Sequence, residues 1–234
     1  MAESFSAVGG PLTSRETLCS RCRDFLFVGS VGISLKSVMN MASICVSDDR
    51  AARLETMQFT LGQGPSYDAF ATGNPVLERQ LASALPVRWP ALTTLALDAG
   101  IEGIFAYPLQ IGAARLGVLT AYQRSANAWT PAQHLDALVA ADALTHVILS
   151  LQARAPTGAL ADALRDAGSS WAEVHQASGM LSAQLGVSVA EALVWLRSRS
   201  YVTGTPIFDL AQAVIARRLR LERRDNLEIE WSEN

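Results

Sequence analysis

Near the C-terminal end of the chain, Arg197, Arg199, Arg217, Arg218 and Arg220 are the side chains best suited to recognise an anion. A guanidinium is a planar fork of donors that fits phosphate oxygens and base edges two at a time. Trp195 lies one turn before Arg199. A helical period of about 100° per residue places it off the apolar stripe of Val189, Ala192, Leu193 and Leu196. An indole in that place can stack an unpaired base, or it can serve a contact with a second copy or with the N-terminal domain. The arginines at 217–220 also have a plainer reading, because cations complement the negative end of a helix. Arg218 projects onto the apolar side of its own helix, where its stem could snorkel.

Other chemistries find little support. Cys19 and Cys22 form a C-x-x-C, but no second cysteine pair or histidine pair follows to complete a zinc site. Their i, i+3 spacing puts both thiols on one helix face, so packing is expected rather than redox chemistry. With Cys45 they make three cysteines, too few for a disulfide framework in 234 residues. His134, His146 and His175 sit in helical patterns with no ligand spacing between them, and structural roles are expected. The phosphate-binding, serine-hydrolase, zinc-protease and dinucleotide motifs are missing. The chain is therefore expected to be no enzyme and to carry no cofactor or metal.

Half of the residues are hydrophobic, ample for a core, and no stretch is long and apolar enough for a membrane span. The first residues lack the pattern of a signal peptide, and a cytoplasmic location is expected. The net charge of −3 is unevenly spread. Residues 1–170 carry −2, residues 171–224 carry +3 from seven arginines and four acids, and residues 225–234 carry −4. A basic module between neutral and acidic parts hints at an anionic partner.

The elements that must position these side chains fall into two groups. Residues 13–28 read as a helix, 31–37 and 39–47 as strands, and 47–58 as a helix behind acidic capping residues. Glycine and proline punctuate a short helix within 61–77, a helix over 88–100 ends at Gly100, and 103–112 with 115–124 reads as a hairpin. This is an α+β domain with a mainly antiparallel sheet. Thr130, Pro131 and Gln133 open a long helix over 131–153, apolar on more than one face. Three shorter helices follow: 171–185 ending at Gly186, one capped by Ser188 with Glu191, and one opened by Thr205 and Pro206. Gly179 stands near the middle of the first of these, where glycine costs about 1 kcal/mol relative to alanine. Close approach of a neighbouring helix or of a nucleic acid would account for it.

The run QASGM at 176–180, the LGVS turn at 185–188, EAL and LR within 191–197, and A-x-x-V-I at 211–215 together resemble the ANTAR domain, the RNA-binding module of antitermination regulators. LGQGPSYDAFATGNPV, RWPALTTLALDAGI and FAYPLQIGAARLGVLTAYQR resemble the GAF domain of actinobacterial GAF–ANTAR regulators. The resemblance implies a GAF-like antiparallel sheet flanked by helices, a long connecting helix and a C-terminal three-helix bundle. It divides the chain into a flexible N-terminus at 1–12, a sensor domain at 13–153 that includes the connecting helix, a linker at 154–170, the ANTAR domain at 171–221 and an acidic tail at 222–234.

The resemblance further implies a homodimer that binds tandem RNA stem-loops. Gln176, Ser178, Gly179, Arg197, Arg199, Arg217 and Arg218 become the RNA-contacting candidates, beside Trp195. Ser178 and Trp195 depart from the family, which more often has lysine at the first position and a polar or basic residue at the second. In the sensor domain, Tyr67, Phe70, Trp89, Phe105 and Tyr107 are candidates to line a small-molecule pocket, or else plain core. Two rival functions remain open: a protein-interaction scaffold without RNA binding, and a DNA-binding regulator.

Overall fold

The computed structural model describes residues 15–36, 41–83, 88–125, 129–154, 169–223 and 229–233. The N-terminal segment at 1–12 and most of the 154–170 linker lie outside them. The chain divides into two compact units, Met1–Ala167 and Gly168–Asn234.

In the first unit, helix α1 (Arg15–Leu26) is followed by β1 (Ser30–Lys36), β2 (Met41–Val46), α2 (Asp49–Leu61), α3 (Pro65–Thr72) and β3 (Val76–Glu78). After a single 3-10 turn come α4 (Pro90–Asp98), β4 (Gly103–Ile111), β5 (Ala114–Gln123) and the long α5 (Pro131–Arg154). The strands form one sheet in the order β2-β1-β5-β4-β3, with antiparallel neighbours throughout. Both faces are covered, which is why β1 and β4 read as near-continuous buried runs rather than alternating ones. Val31, Ile33, Leu35, Phe105, Tyr107, Leu109, Leu119 and Ala121 point to one face, against α1 and α5. Ile104, Ala106, Val118 and Tyr122 point to the other, against α2, α3 and α4.

Local chemistry fixes the helix ends. The Asp48 carboxylate accepts from the backbone N–H groups of Arg50 and Ala51, capping α2, and Gly62 closes the same helix at φ 64°. Thr130 and Gln133 form the expected reciprocal box at the start of α5: Gln133 N donates to Thr130 Oγ1, and Thr130 N donates to Gln133 Oε1.

The cysteines require a correction. Cys19 and Cys22 are both buried as expected of packing residues, but Cys19 is disulfide-bonded to Cys45, across from α1 to β2. The pairing depends on α1 lying against β2, which brings the two Cα atoms to 5.9 Å over a separation of 26 residues. Cys22 is the free thiol, and burial pushes its pKa up to about 12.

The second unit contains α6 (Ser169–Leu185), α7 (Val189–Thr203) and α8 (Ile207–Ile215), then a hairpin of β6 (Leu219–Arg223) and β7 (Ile229–Glu233). Val174, Ala177, Leu181 and Leu185 on α6 meet Ala192, Leu193 and Leu196 of α7 and Ile207, Leu210, Ala211 and Val214 of α8 in the buried interior. Leu219 and Leu221 of β6 close that core from below. The hairpin takes up residues read from the sequence as an acidic tail. Among the described residues no single helix is long and apolar enough to cross a membrane.

Candidate nucleic-acid interface

The eight RNA candidates do not share one surface. Gln176 is exposed on α6, whereas Ser178, two residues on, is wholly buried and its hydroxyl donates to the Val174 carbonyl at 2.8 Å. Ser178 therefore drops out as a contact. It is a mid-helix serine satisfied by its own preceding turn. Gly179 is half-buried, and a Cβ added there would meet nothing within 4 Å. Among the described residues, then, no close approach by a helix of this chain accounts for the glycine.

On α7, Trp195, Arg197 and Arg199 are each half-buried. The pKa of His175 on α6 is lowered, first by its own burial and then by the charge of Arg197. Arg199 goes elsewhere: its guanidinium lies 5.8 Å from the ring centroid of Trp231 on β7, within cation–π range.

Arg217 and Arg218 are exposed, and the turn between α8 and β6 separates them. Arg218 N donates to Ala213 O at 2.8 Å and Arg217 N to Val214 O at 3.0 Å, the bonding pattern of a Schellman stop. Arg217 occupies the left-handed position at φ 58°, where glycine is the usual residue. A non-glycine residue there costs about 1–2 kcal/mol. The turn sends the two arginines to different clefts. Arg218 joins Arg199, Thr203, Thr205, Leu210, Ala213 and Leu219 around one of about 560 Å³. Arg217 joins Arg220, Met180, Ala183, Gln184, Leu221 and Glu222 around another of about 750 Å³. The period-2 alternation of Leu219, Leu221, Ile229 and Trp231 was the sequence signal for the hairpin that walls these clefts.

The five candidate pocket aromatics of the first unit are dispersed as well. Trp89 is buried with Leu92, Ala96, Ile101, Ile104 and Tyr122. Tyr67 and Phe70 are half-buried against Met41, Ala69, Ala106 and Val118. Phe105 and Tyr107 lie on the opposite face of the sheet, where Phe105 stacks on Trp129 at 4.3 Å between centroids. The Tyr107 hydroxyl meets His134 Nδ1 at 2.6 Å. Burial raises the tyrosine pKa and, followed by the charge of Arg79, lowers that of His134. No single pocket is lined by all five.

Between the sheet and the helices α2 and α3 there is instead a buried polar seam that the sequence reading missed. Ser34 Oγ and Tyr122 OH donate to the two oxygens of Glu55 at 2.5 and 2.7 Å. Gln58 Nε2 donates to Tyr122 OH, Ser66 N donates to Gln58 Oε1, and the Ser66 and Thr120 hydroxyls pair at 2.8 Å. Gly32 is required opposite Glu55, because a Cβ there would lie 2.5 Å from a carboxyl oxygen. Glu55 and Gln58, spaced i, i+3 among Ala51, Leu54 and Phe59 on α2, were the available sign.

Burial raises the Glu55 pKa, and the hydrogen bonds from Ser34 and Tyr122 offset that only in part. A raised folded-state pKa means the native state binds the proton more tightly than the unfolded chain. The resulting stabilisation is full below the unfolded carboxylate value of about 4.3 and is lost as pH rises through the folded value. Glu55→Gln should therefore flatten the fall of stability over that window, as read from urea midpoints at a series of pH values. In the second unit, Gly179→Ala should stabilise by about 1 kcal/mol in the same measurement, since the methyl enters open space. A destabilised Gly179→Ala would show that the position is crowded after all.

Residues 162–215 match the ANTAR domain. No curated protein sequence matches the chain. Among solved structures, the chain is similar to a domain of a two-component sensor histidine kinase protein from Sinorhizobium meliloti, at a TM-score of 0.50 and 16% identity over 62% of this chain and 95% of that one. It is also similar to the GAF domain of a phosphoenolpyruvate-protein phosphotransferase from Coxiella burnetii, at 0.49 and 13% over 64% and 90%. A GAF domain/HD domain protein from Geobacter sulfurreducens gives 0.47 and 12% over 63% and 100%. At such identities the likeness speaks for fold alone. The ANTAR match implies RNA-binding regulation of the antitermination type for the second unit. The chain thus matches the ANTAR domain over residues 162–215, in a C-terminal unit that follows an α+β unit built on a five-stranded antiparallel sheet.

Proposed function

We propose that the protein is a non-enzymatic transcription antitermination regulator that binds paired RNA stem-loops as a homodimer, with the first unit as its signal-sensing part. The observation that carries this is the ANTAR match over residues 162–215, in the unit that also bears Arg199, Arg217 and Arg218. Two such modules held in one dimer bind two hairpins at a raised effective concentration, so that a modest affinity for each becomes a useful joint one. A small molecule or partner acting on the first unit would shift the α5 helices and change the spacing of the modules.

The dimer has support on α5. Leu135, Leu138 and Val139, at i, i+3 and i+4, are 60%, 46% and 46% exposed on a helix that is otherwise well packed. Three large apolar side chains in one exposed patch suit a second copy of the same helix better than water. The DNA-binding alternative is poorly served, because α8 starts with a buried Ile207 and a half-buried Phe208 rather than polar side chains able to read base edges.

The test is binding of the full-length protein to RNA with two adjacent short hairpins, against single-hairpin RNA and duplex DNA of equal length. A preference for paired hairpins that falls steeply with added salt is expected, since phosphate contacts release counterions. A protein carrying Leu135→Glu and Leu138→Glu should lose binding to the paired hairpins far more than to the single one. Equal losses on both RNAs would contradict the dimer, and salt-insensitive or absent RNA binding would favour the scaffold reading.

A further inference from the structure

Helix α7 is apolar on two sides, and the core of its unit takes up only one of them. Ala192, Leu193 and Leu196 are buried with Ser200 in the interior. On the outer side Val194, Tyr201 and Val202 are 56%, 62% and 80% exposed, with Trp195 half-buried beside them. Single exposed apolar side chains are ordinary, but four on one side of a helix mark a contact surface.

The order of these residues says what the contact is with. About Ser198 the helix has valines four residues to either side, Val194 and Val202, and aromatics three residues to either side, Trp195 and Tyr201. At about 100° per residue the valines fall about 40° and the aromatics about 60° on each side of Ser198. Arg197 and Arg199 fall about 100° to either side, outside the seam. An isologous contact needs a patch that complements itself under a two-fold rotation, and this one does. Two antiparallel copies of α7 centred on Ser198 set Val194 and Trp195 of one at the level of Val202 and Tyr201 of the other. The residue at the axis is small and exposed, so the helices can close to the ~8–10 Å of a packed pair.

The patch is small. Four apolar side chains and a serine from each copy fall well short of the ~20–30 residues a side of a free-standing interface. A contact of that size closes between copies already held together, where a raised effective concentration stands in for affinity.

We propose that, in the homodimer joined through α5, the two C-terminal units pair with each other through α7, antiparallel about Ser198. The proposal rests on the homodimer reading given above. It gives Trp195 a protein partner rather than a base, and it sets the separation of the two modules by direct contact.

The test is disulfide trapping of full-length Ser198→Cys. Cys22 is buried and Cys19 and Cys45 are bonded to each other, so the introduced thiol is the exposed one. With copper-phenanthroline as oxidant and dilute protein, it should link two copies at least about tenfold faster than Asp209→Cys does, because the two-fold axis brings like residues together. Asp209 is an exposed position on α8. Val194→Glu added to Ser198→Cys should abolish the link while sedimentation still reports a dimer; a thermal melt checks that it folds. Leu135→Glu with Leu138→Glu should abolish the link and the dimer together. A Ser198→Cys protein that sediments as a dimer yet links no faster than Asp209→Cys overturns the α7 contact and leaves the α5 dimer standing. So does a link that survives Val194→Glu. A native protein that sediments as a monomer overturns the homodimer reading, and this contact with it.

Discussion

The burial of one row of side chains on α6, Val174, Ala177, Leu181 and Leu185, decides what the C-terminal unit can present to a partner. Each large apolar member is worth about 1.5–3 kcal/mol on burial, so α7, α8 and β6 must all close over it. Once they do, Ser178 is turned inward beside the row and Gln176 outward, whatever the family resemblance assigns to either. The same packing aims α8 so that its end leads into β6. The Arg217–Arg218 turn then lies where two clefts meet. Recognition chemistry here follows from core packing.

The first unit obeys a different constraint. Its sheet is covered on both faces, and on the α2 side the interior includes a carboxyl, an amide, a phenol and three hydroxyls. These groups satisfy one another, as buried polar atoms must, and they occupy the space between sheet and helix themselves. A network of this kind is sensitive to displacement, because removing any member leaves its partners unpaired.

The helices and strands were legible because each is punctuated by local chemistry. Thr130 with Gln133, Ser188 with Glu191, and the glycines at 62, 186 and 204 act within a turn of the residues they cap, so their effect can be read without knowing the fold. The hairpin after α8 was missed although Leu219, Leu221, Ile229 and Trp231 alternate, because the acidic charge of the last ten residues drew the reading instead. The Cys19–Cys45 bond and the dispersal of the five aromatics could not be read in the same way. Phe105 and Tyr107 share a strand face by parity, but which helices cover that face is set only by tertiary packing. Gly179 shows the reverse case: the sequence marks it as a costly mid-helix residue, and only the structure shows open space beside it among the described residues.

On the proposed reading, the protein changes the fate of a transcript by holding RNA hairpins. The most direct measurement is single-round transcription in vitro through a terminator that competes with a two-hairpin structure, with and without the purified protein. The account predicts that the protein raises the full-length fraction on that template and leaves it unchanged when the upstream hairpin is deleted. Unchanged termination at protein concentrations that saturate the RNA would contradict it.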